Sequence, residues 1–223
     1  MTTHSTFLFD GSFTGFLTAV QTGFIKSLPE IRFVTPNDSN SLELFGPQIK
    51  ITTNTLLAKQ LWGDLGLVGT EVQKRVYYSF LHKNTQLQSV IYQYMASLLS
   101  YEIDAIRISS AIAGSQLSIS TREVGREREE MEKHLEFRTG ADGLWYAQIQ
   151  PKHHILPLLS RFCRSRFQTG SWMVVDTQRR QSLTSFSGKL TLSAYASSNA
   201  EQLRLEVVPA AHPLFQRTSV LSA

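Results

Sequence analysis

Residues 144–176, LWYAQIQPKHHILPLLSRFCRSRFQTGSWMVVD, change their hydrophobic period twice. Leu144-Trp145-Tyr146-Ala147-Gln148-Ile149 alternates as a strand does. From Pro151 to Phe167 the apolar residues Leu158, Leu159, Phe162, Cys163 and Phe167 fall at helical spacing, with Arg161 and Arg164 on the polar side. Pro157 sits in the first turn of that helix, where its missing N–H costs little. Trp172-Met173-Val174-Val175-Asp176 returns to strand character. Ala141-Asp142-Gly143 reads as a hairpin turn before the first strand. Further strand-like runs lie at Leu183–Phe186, Leu190–Leu192 and Leu203–Val208. The order strand, strand, helix, strand, strand over residues 139–190 predicts an antiparallel sheet with a helix across one face.

Upstream the pattern differs. Phe7-Leu8-Phe9 suits a buried strand, Asp10-Gly11-Ser12 breaks it, and Phe13, Phe16, Leu17, Val20 and Phe24 follow at helical spacing. Ile31–Val34 and Ile49–Ile51 are further candidate strands, so residues 1–52 read as a small α/β opening. Residues 53–138 read as helical, with apolar faces through Leu57 and Leu61, Val76 and Phe80, and Ile91 and Met95. Ser120 and Glu123 have the spacing of a capping box, which predicts a helix starting there and running to about Leu135. Glu129 and Lys133 are placed to support it at four-residue spacing. The class is therefore α+β.

Composition narrows the function. The chain has 223 residues, a mass of 25.1 kDa, 42% hydrophobic residues, a formal charge of +4 and a pI near 9.3. That apolar share supports a core, and the mild positive charge permits contact with a polyanion without requiring it. The lone cysteine, Cys163, excludes an internal disulfide and a self-contained cysteine-ligated zinc site, and fits a reducing cytoplasm. The start MTTHSTFLFD is unlike a secretory signal, and no apolar run approaches the ~20 residues of a membrane span. The expectation is a cytoplasmic protein without a membrane partner, a metal or a cofactor.

Charge is concentrated in one segment. Between Pro151 and Arg180 the basic residues are Lys152, Arg161, Arg164, Arg166, Arg179 and Arg180, and the lone acid is Asp176. Arginine is suited to bidentate phosphate contact, so Arg161, Arg164, Arg166, Arg179 and Arg180 are the candidate nucleic-acid-binding residues. The alternative for each is a solvated surface charge. Phe162, Phe167 and Trp172 read as core rather than as platforms for bases. Asp10 reads either as a base or ligand at the mouth of a sheet or as a turn residue capping the next helix. His153 and His154 are adjacent and point apart, so they do not share one metal. His154 is read as a phosphate contact or as a structural histidine. Cys163 lies on the apolar stripe and reads as a buried, inert thiol.

The opening Phe7-Leu8-Phe9-Asp10-Gly11-Ser12-Phe13-Thr14-Gly15-Phe16-Leu17-Thr18-Ala19-Val20 resembles the amino-terminal signature of a bacterial family of unknown function described as DNA metabolism or DNA repair proteins. Tyr77–Leu81, Val124-Gly125-Arg126-Glu127, Phe137-Arg138, Trp145–Ile149, Pro151, His153, Ile155–Leu159, Arg166-Phe167, Trp172 and Asp176 resemble its later parts. The resemblance implies a single family domain over residues 1–190, with residues 191–223 an extension particular to this chain. It implies a role beside a radical SAM protein of DNA modification or repair. A uracil-DNA glycosylase-like protein is a further implied partner, because the domain is fused to one in other bacteria. It carries over no catalytic residues. Where the family continues after Glu127 with alanine, histidine and arginine, this chain has Arg128, Glu129 and Glu130.

Three functions are compatible with these residues. The first is an auxiliary DNA-repair protein that holds DNA by its backbone. The second is an enzyme acting on damaged bases or nucleotides, with Asp10, His154 and Asp176 as acid–base candidates. The third is a protein–protein adaptor whose basic patch meets an acidic surface.

Overall fold

The computed structural model describes residues 5–36, 48–99, 110–140, 143–168 and 170–195. The chain forms two compact units, Met1–Gly125 and Arg126–Ala223, dividing inside one long helix.

In the first unit, strand β1 (Ser5–Leu8) lies between β2 (Ile31–Val34) and β3 (Gln48–Lys50), and both neighbours run parallel to it. Parallel pairing requires crossover connections, and helix α1 (Phe13–Ile25) supplies the one from β1 to β2. Helices α2 (Thr55–Val68), α3 (Thr70–Phe80) and α4 (Leu87–Leu98) follow. The core is aromatic. Phe16 meets Phe33 edge-on at 5.1 Å and Phe24 stacks on Tyr92 at 4.9 Å, with all four rings buried. Each buried ring contributes roughly 1.5–3 kcal/mol relative to exposure.

Helix α5 runs from Ser110 to His134. The expected start at Ser120 is therefore corrected by ten residues. Ala113, Leu117, Ser120 and Val124 are all buried, so the inward stripe begins well before the capping-box spacing. Ser120 is mid-helix and exchanges a hydrogen bond with Ser79 Oγ at 2.8 Å while donating to the Leu117 carbonyl. Glu123 instead meets His82 Nε2 at 2.9 Å. Asn84 N–H donates to His82 Nδ1, which turns the other ring nitrogen, Nε2, toward Glu123.

The second unit is a five-stranded sheet in the order β4 (Arg138–Thr139), β5 (Trp145–Ile149), β6 (Trp172–Asp176), β7 (Gln181–Phe186) and β8 (Lys189–Ala194). The sheet is mixed rather than antiparallel throughout. Strands β5 and β6 run parallel, with Trp145 opposite Trp172 and Ile149 opposite Asp176. A 3-10 turn at Leu156–Leu159 and helix α6 (Ser160–Arg166) form the crossover between them, which is why the pair cannot be a hairpin. Leu156, Leu159, Cys163 and Phe167 pack with Trp145, Trp172, Val174 and Leu183 in the core. The predicted hairpin before Trp145 joins β4 to β5, with Gly143 at φ +76. The run Leu203–Val208 lies outside the described residues.

Candidate functional site

The parallel pair β5–β6 ends at Ile149 and Asp176, and the chain leaves both strands on the same side. The segment Pro151–Ile155 follows β5 and the turn Thr177–Arg180 follows β6. Carboxyl ends of parallel strands are where open sheets place ligands. Here the two segments are bound to each other by side chains.

Arg179 makes the principal tie. Its Nη1 donates to Asp176 Oδ2 at 3.0 Å and to the Pro151 carbonyl at 3.0 Å, and its Nη2 donates to the Lys152 carbonyl at 2.7 Å. Asp176 is fully buried, and its Oδ1 accepts the backbone N–H groups of Gln178 and Arg179, each at 3.0 Å. A buried carboxylate is tolerated only when its lone pairs are met in this way. From the other side Glu127 of α5 caps the same segment. Its two oxygens accept Lys152 N–H at 2.6 Å and His153 N–H at 2.8 Å. The carbonyls of Pro151 and Lys152 are thus held by Arg179, and the N–H groups of Lys152 and His153 by Glu127.

His154 belongs to this network and is mostly buried. Burial, and then the charge of Arg179, push its imidazole below the ordinary histidine range; Gln181 and Asp176 pull the other way without reversing the shift. It is neutral at pH 7. Its Nε2 and the Oε1 of Gln181 are both buried, and the Gln181 side chain lies close enough to the imidazole to favour its protonated form. Asp176 and Gln181 are cross-strand partners, so the three polar side chains sit together at the strand ends.

The arginines divide into two groups. Arg161 and Arg164 are exposed on α6, and Arg180 is exposed at a turn position with φ +52. Arg166 is half-buried, its guanidinium 5.8 Å from the Phe137 ring centre and 5.9 Å from that of Phe162. Arg179 is committed to the strand-end tie, so its guanidinium positions backbone rather than facing solvent. Helix α6, SRFCRSR, carries three arginines and no acid. With Asp176 buried beneath, the exposed charge of this segment is positive at Lys152, Arg161, Arg164 and Arg180. Cys163 is fully buried, and burial pushes its thiol up to about 12.

Asp10 lies in the first unit, after β1. It accepts Ser12 N–H at 2.9 Å, Ser12 Oγ–H at 2.7 Å and Thr53 Oγ–H at 2.6 Å. Burial acts to raise its carboxyl, and the hydrogen bonds from Thr53 and Ser12 outweigh it, leaving the group below its ordinary range. Ser12 caps α1 by accepting Gly15 N–H, so Asp10 organises the helix start. Of the three acid–base candidates, His154 and Asp176 come together, and Asp10 has its own partners in the other unit.

Glu127 was not among the candidates drawn from charge or spacing. The signal available was its place in Val124-Gly125-Arg126-Glu127. Among the residues that carry the resemblance, Glu127, Pro151, His153 and Asp176 prove to be members of one hydrogen-bonded network.

No curated protein matches the chain. Residues 85–205 match the family described as a domain of unknown function, DUF4130. That match spans more than half of the chain and includes the whole strand-end network, so the protein belongs to the DUF4130 family.

Proposed function

We propose that this protein binds DNA through its phosphate backbone as an auxiliary component of DNA repair or DNA metabolism. Arg161, Arg164 and Arg180 make the contacts, with Lys152 beside them and Arg166 at the margin. The observation that carries this reading is that α6 holds three arginines and no acid of its own, and that Asp176, the one acid between Pro151 and Arg180, is buried and engaged by Arg179. Phosphate contact supplies affinity without sequence choice, as expected of a protein that presents DNA to another. The resemblance to DNA-repair proteins supports the same role and supplies its partner class, a radical SAM protein or a uracil-DNA glycosylase-like protein. The carboxylates at the strand ends favour a holding role over catalysis, because Glu127 and Asp176 are engaged by backbone N–H groups and Arg179. Titration of labelled single- and double-stranded DNA at several salt concentrations tests the reading. Binding that weakens with salt, and weakens further in R161A/R164A, is the expected result; absence of binding at low salt overturns it.

A further inference from the structure

Strand β5 has an open stretch of edge. Trp145 N–H donates to the Ser171 carbonyl and the Ile149 carbonyl accepts Thr177 N–H, both at 3.1 Å. Residues 145, 147 and 149 therefore turn their backbone groups toward β6, and residues 146 and 148 turn theirs the other way. On that side β4 is two residues long and pairs Arg138 with Tyr146 and Thr139 with Trp145. The ladder stops there, so the N–H and C=O of Gln148 have no ladder partner among the described residues. Gln148 lines a cavity of about 430 Å³ together with Met131, His134, Leu135, Glu136 and Arg138, and its outward backbone groups lie on the β4 side, the side of Arg138.

The open group is one N–H and one C=O side by side, the half of a narrow antiparallel pair that lacks its other residue. Its complement is a planar group with a donor next to an acceptor. Met131 and Leu135 give the cavity an apolar wall for the face of a ring, Glu136 offers an acceptor, and Arg138 is an exposed guanidinium suited to phosphate. A peptide strand fits poorly, because β5 ends at Ile149 and leaves a single open residue where strand addition needs several. We infer that this cavity is a nucleobase site, in which the base edge takes the place of the missing β4 residue and Arg138 holds the attached phosphate. A free nucleotide and an unstacked base in a single strand carry the same edge. The site is separate from the arginines of α6 and does not depend on their role.

The test is calorimetric titration of the full chain with UMP, GMP, AMP and CMP, with ribose 5-phosphate as the probe lacking a base. At least one nucleotide is expected to bind roughly tenfold or more tightly than ribose 5-phosphate, as the loss of a base-edge hydrogen-bond pair implies. Gln148→Pro removes the outward N–H without touching the ladder to β6, a substitution edge strands accept, and should weaken binding roughly tenfold. Gln148→Ala keeps the backbone pair and should bind within about threefold of the parent. If Gln148→Pro fails to fold by circular dichroism, Glu136→Trp, an exposed position that fills the cavity, takes its place with the same expected loss. Arg138→Ala should abolish the preference for nucleotide over nucleoside. Displacement of the bound nucleotide by a ten-residue single strand, but not by its abasic counterpart, assigns the site to strand bases; no displacement assigns it to free nucleotides. Equal binding of ribose 5-phosphate, no binding of any nucleotide at millimolar concentration, or undiminished binding by folded Gln148→Pro or Glu136→Trp overturns the inference. R161A/R164A should leave nucleotide affinity unchanged, which keeps this result apart from that of the DNA titration.

Discussion

Arg179 donates from one nitrogen both to the carboxylate of Asp176 and to the carbonyl of Pro151, each at 3.0 Å, so a charge that looks available to DNA is internal to the fold. Removing one partner of such a pair leaves the other buried and unmatched. Arg179→Ala is expected to lower stability by about 3 kcal/mol, whereas Arg161→Ala should change it by less than about 0.5 kcal/mol. Urea unfolding followed by circular dichroism measures both. Equal stability of the two variants would mean that Arg179 is not a structural tie.

Glu127 should matter through its two acceptors rather than its charge. Glu127→Gln keeps one carbonyl oxygen and replaces the other with a donor facing a backbone N–H. A loss of about 1–3 kcal/mol is expected from the unmet N–H group. Hydrogen exchange read at Lys152 and His153 should accelerate in this variant; unchanged protection at both amides would count against the clamp.

His154 gives the second unit a pH dependence with a defined sign. Its folded value is depressed below the ordinary 6.5, so the unfolded chain binds the proton first as pH falls. Its contribution is complete above about pH 6.5 and is lost as pH drops through the folded value. His154→Gln should flatten the stability profile in that window. A parent profile that is already flat between pH 7 and 5 would contradict the buried neutral imidazole.

Gly15 tests the arrangement around Asp10. A Cβ built there would stand 2.1 Å from Asp10 Oδ1 and 3.0 Å from Thr53 Oγ1. Gly15→Ala forces Asp10 out of its bonds with Ser12 and Thr53 and should cost about 1–3 kcal/mol, despite the better helix propensity of alanine. In Asp10→Ala the cost of the same change should largely vanish, a coupling that a double-mutant cycle reads directly.

How much of this was legible in the sequence follows from which forces act locally. Residues 172–176 form the strand expected of them, but of the expected stripe Leu159, Cys163 and Phe167 are buried while Leu158 and Phe162 are half-buried, because residues 156–159 form a 3-10 turn and only Ser160–Arg166 is α-helix. The parallel pairing of β5 and β6 follows from the crossover between them, but alternation within a strand carries no direction, so the sheet was expected to be antiparallel. The start of α5 was misplaced because Ser120 and Glu123 have cap spacing while a buried stripe from Ala113 overrides it. At the site, the exposure of Arg161 and Arg164 was readable from helical phase. The inward role of Arg179 was not, since Asp176 and Pro151 come to it through tertiary contacts. Glu127 is far from Lys152 in sequence, so its capping of that segment leaves no trace in local spacing.

The central claim is that DNA is held by the exposed arginines of α6 and not by Arg179. The slope of log affinity against log salt for duplex DNA measures it most directly. Each lost phosphate contact should reduce that slope by roughly 0.9, so R161A/R164A should reduce it by roughly 1.8. A slope identical to that of the parent chain, or no DNA binding by the folded parent at low salt, would contradict the account.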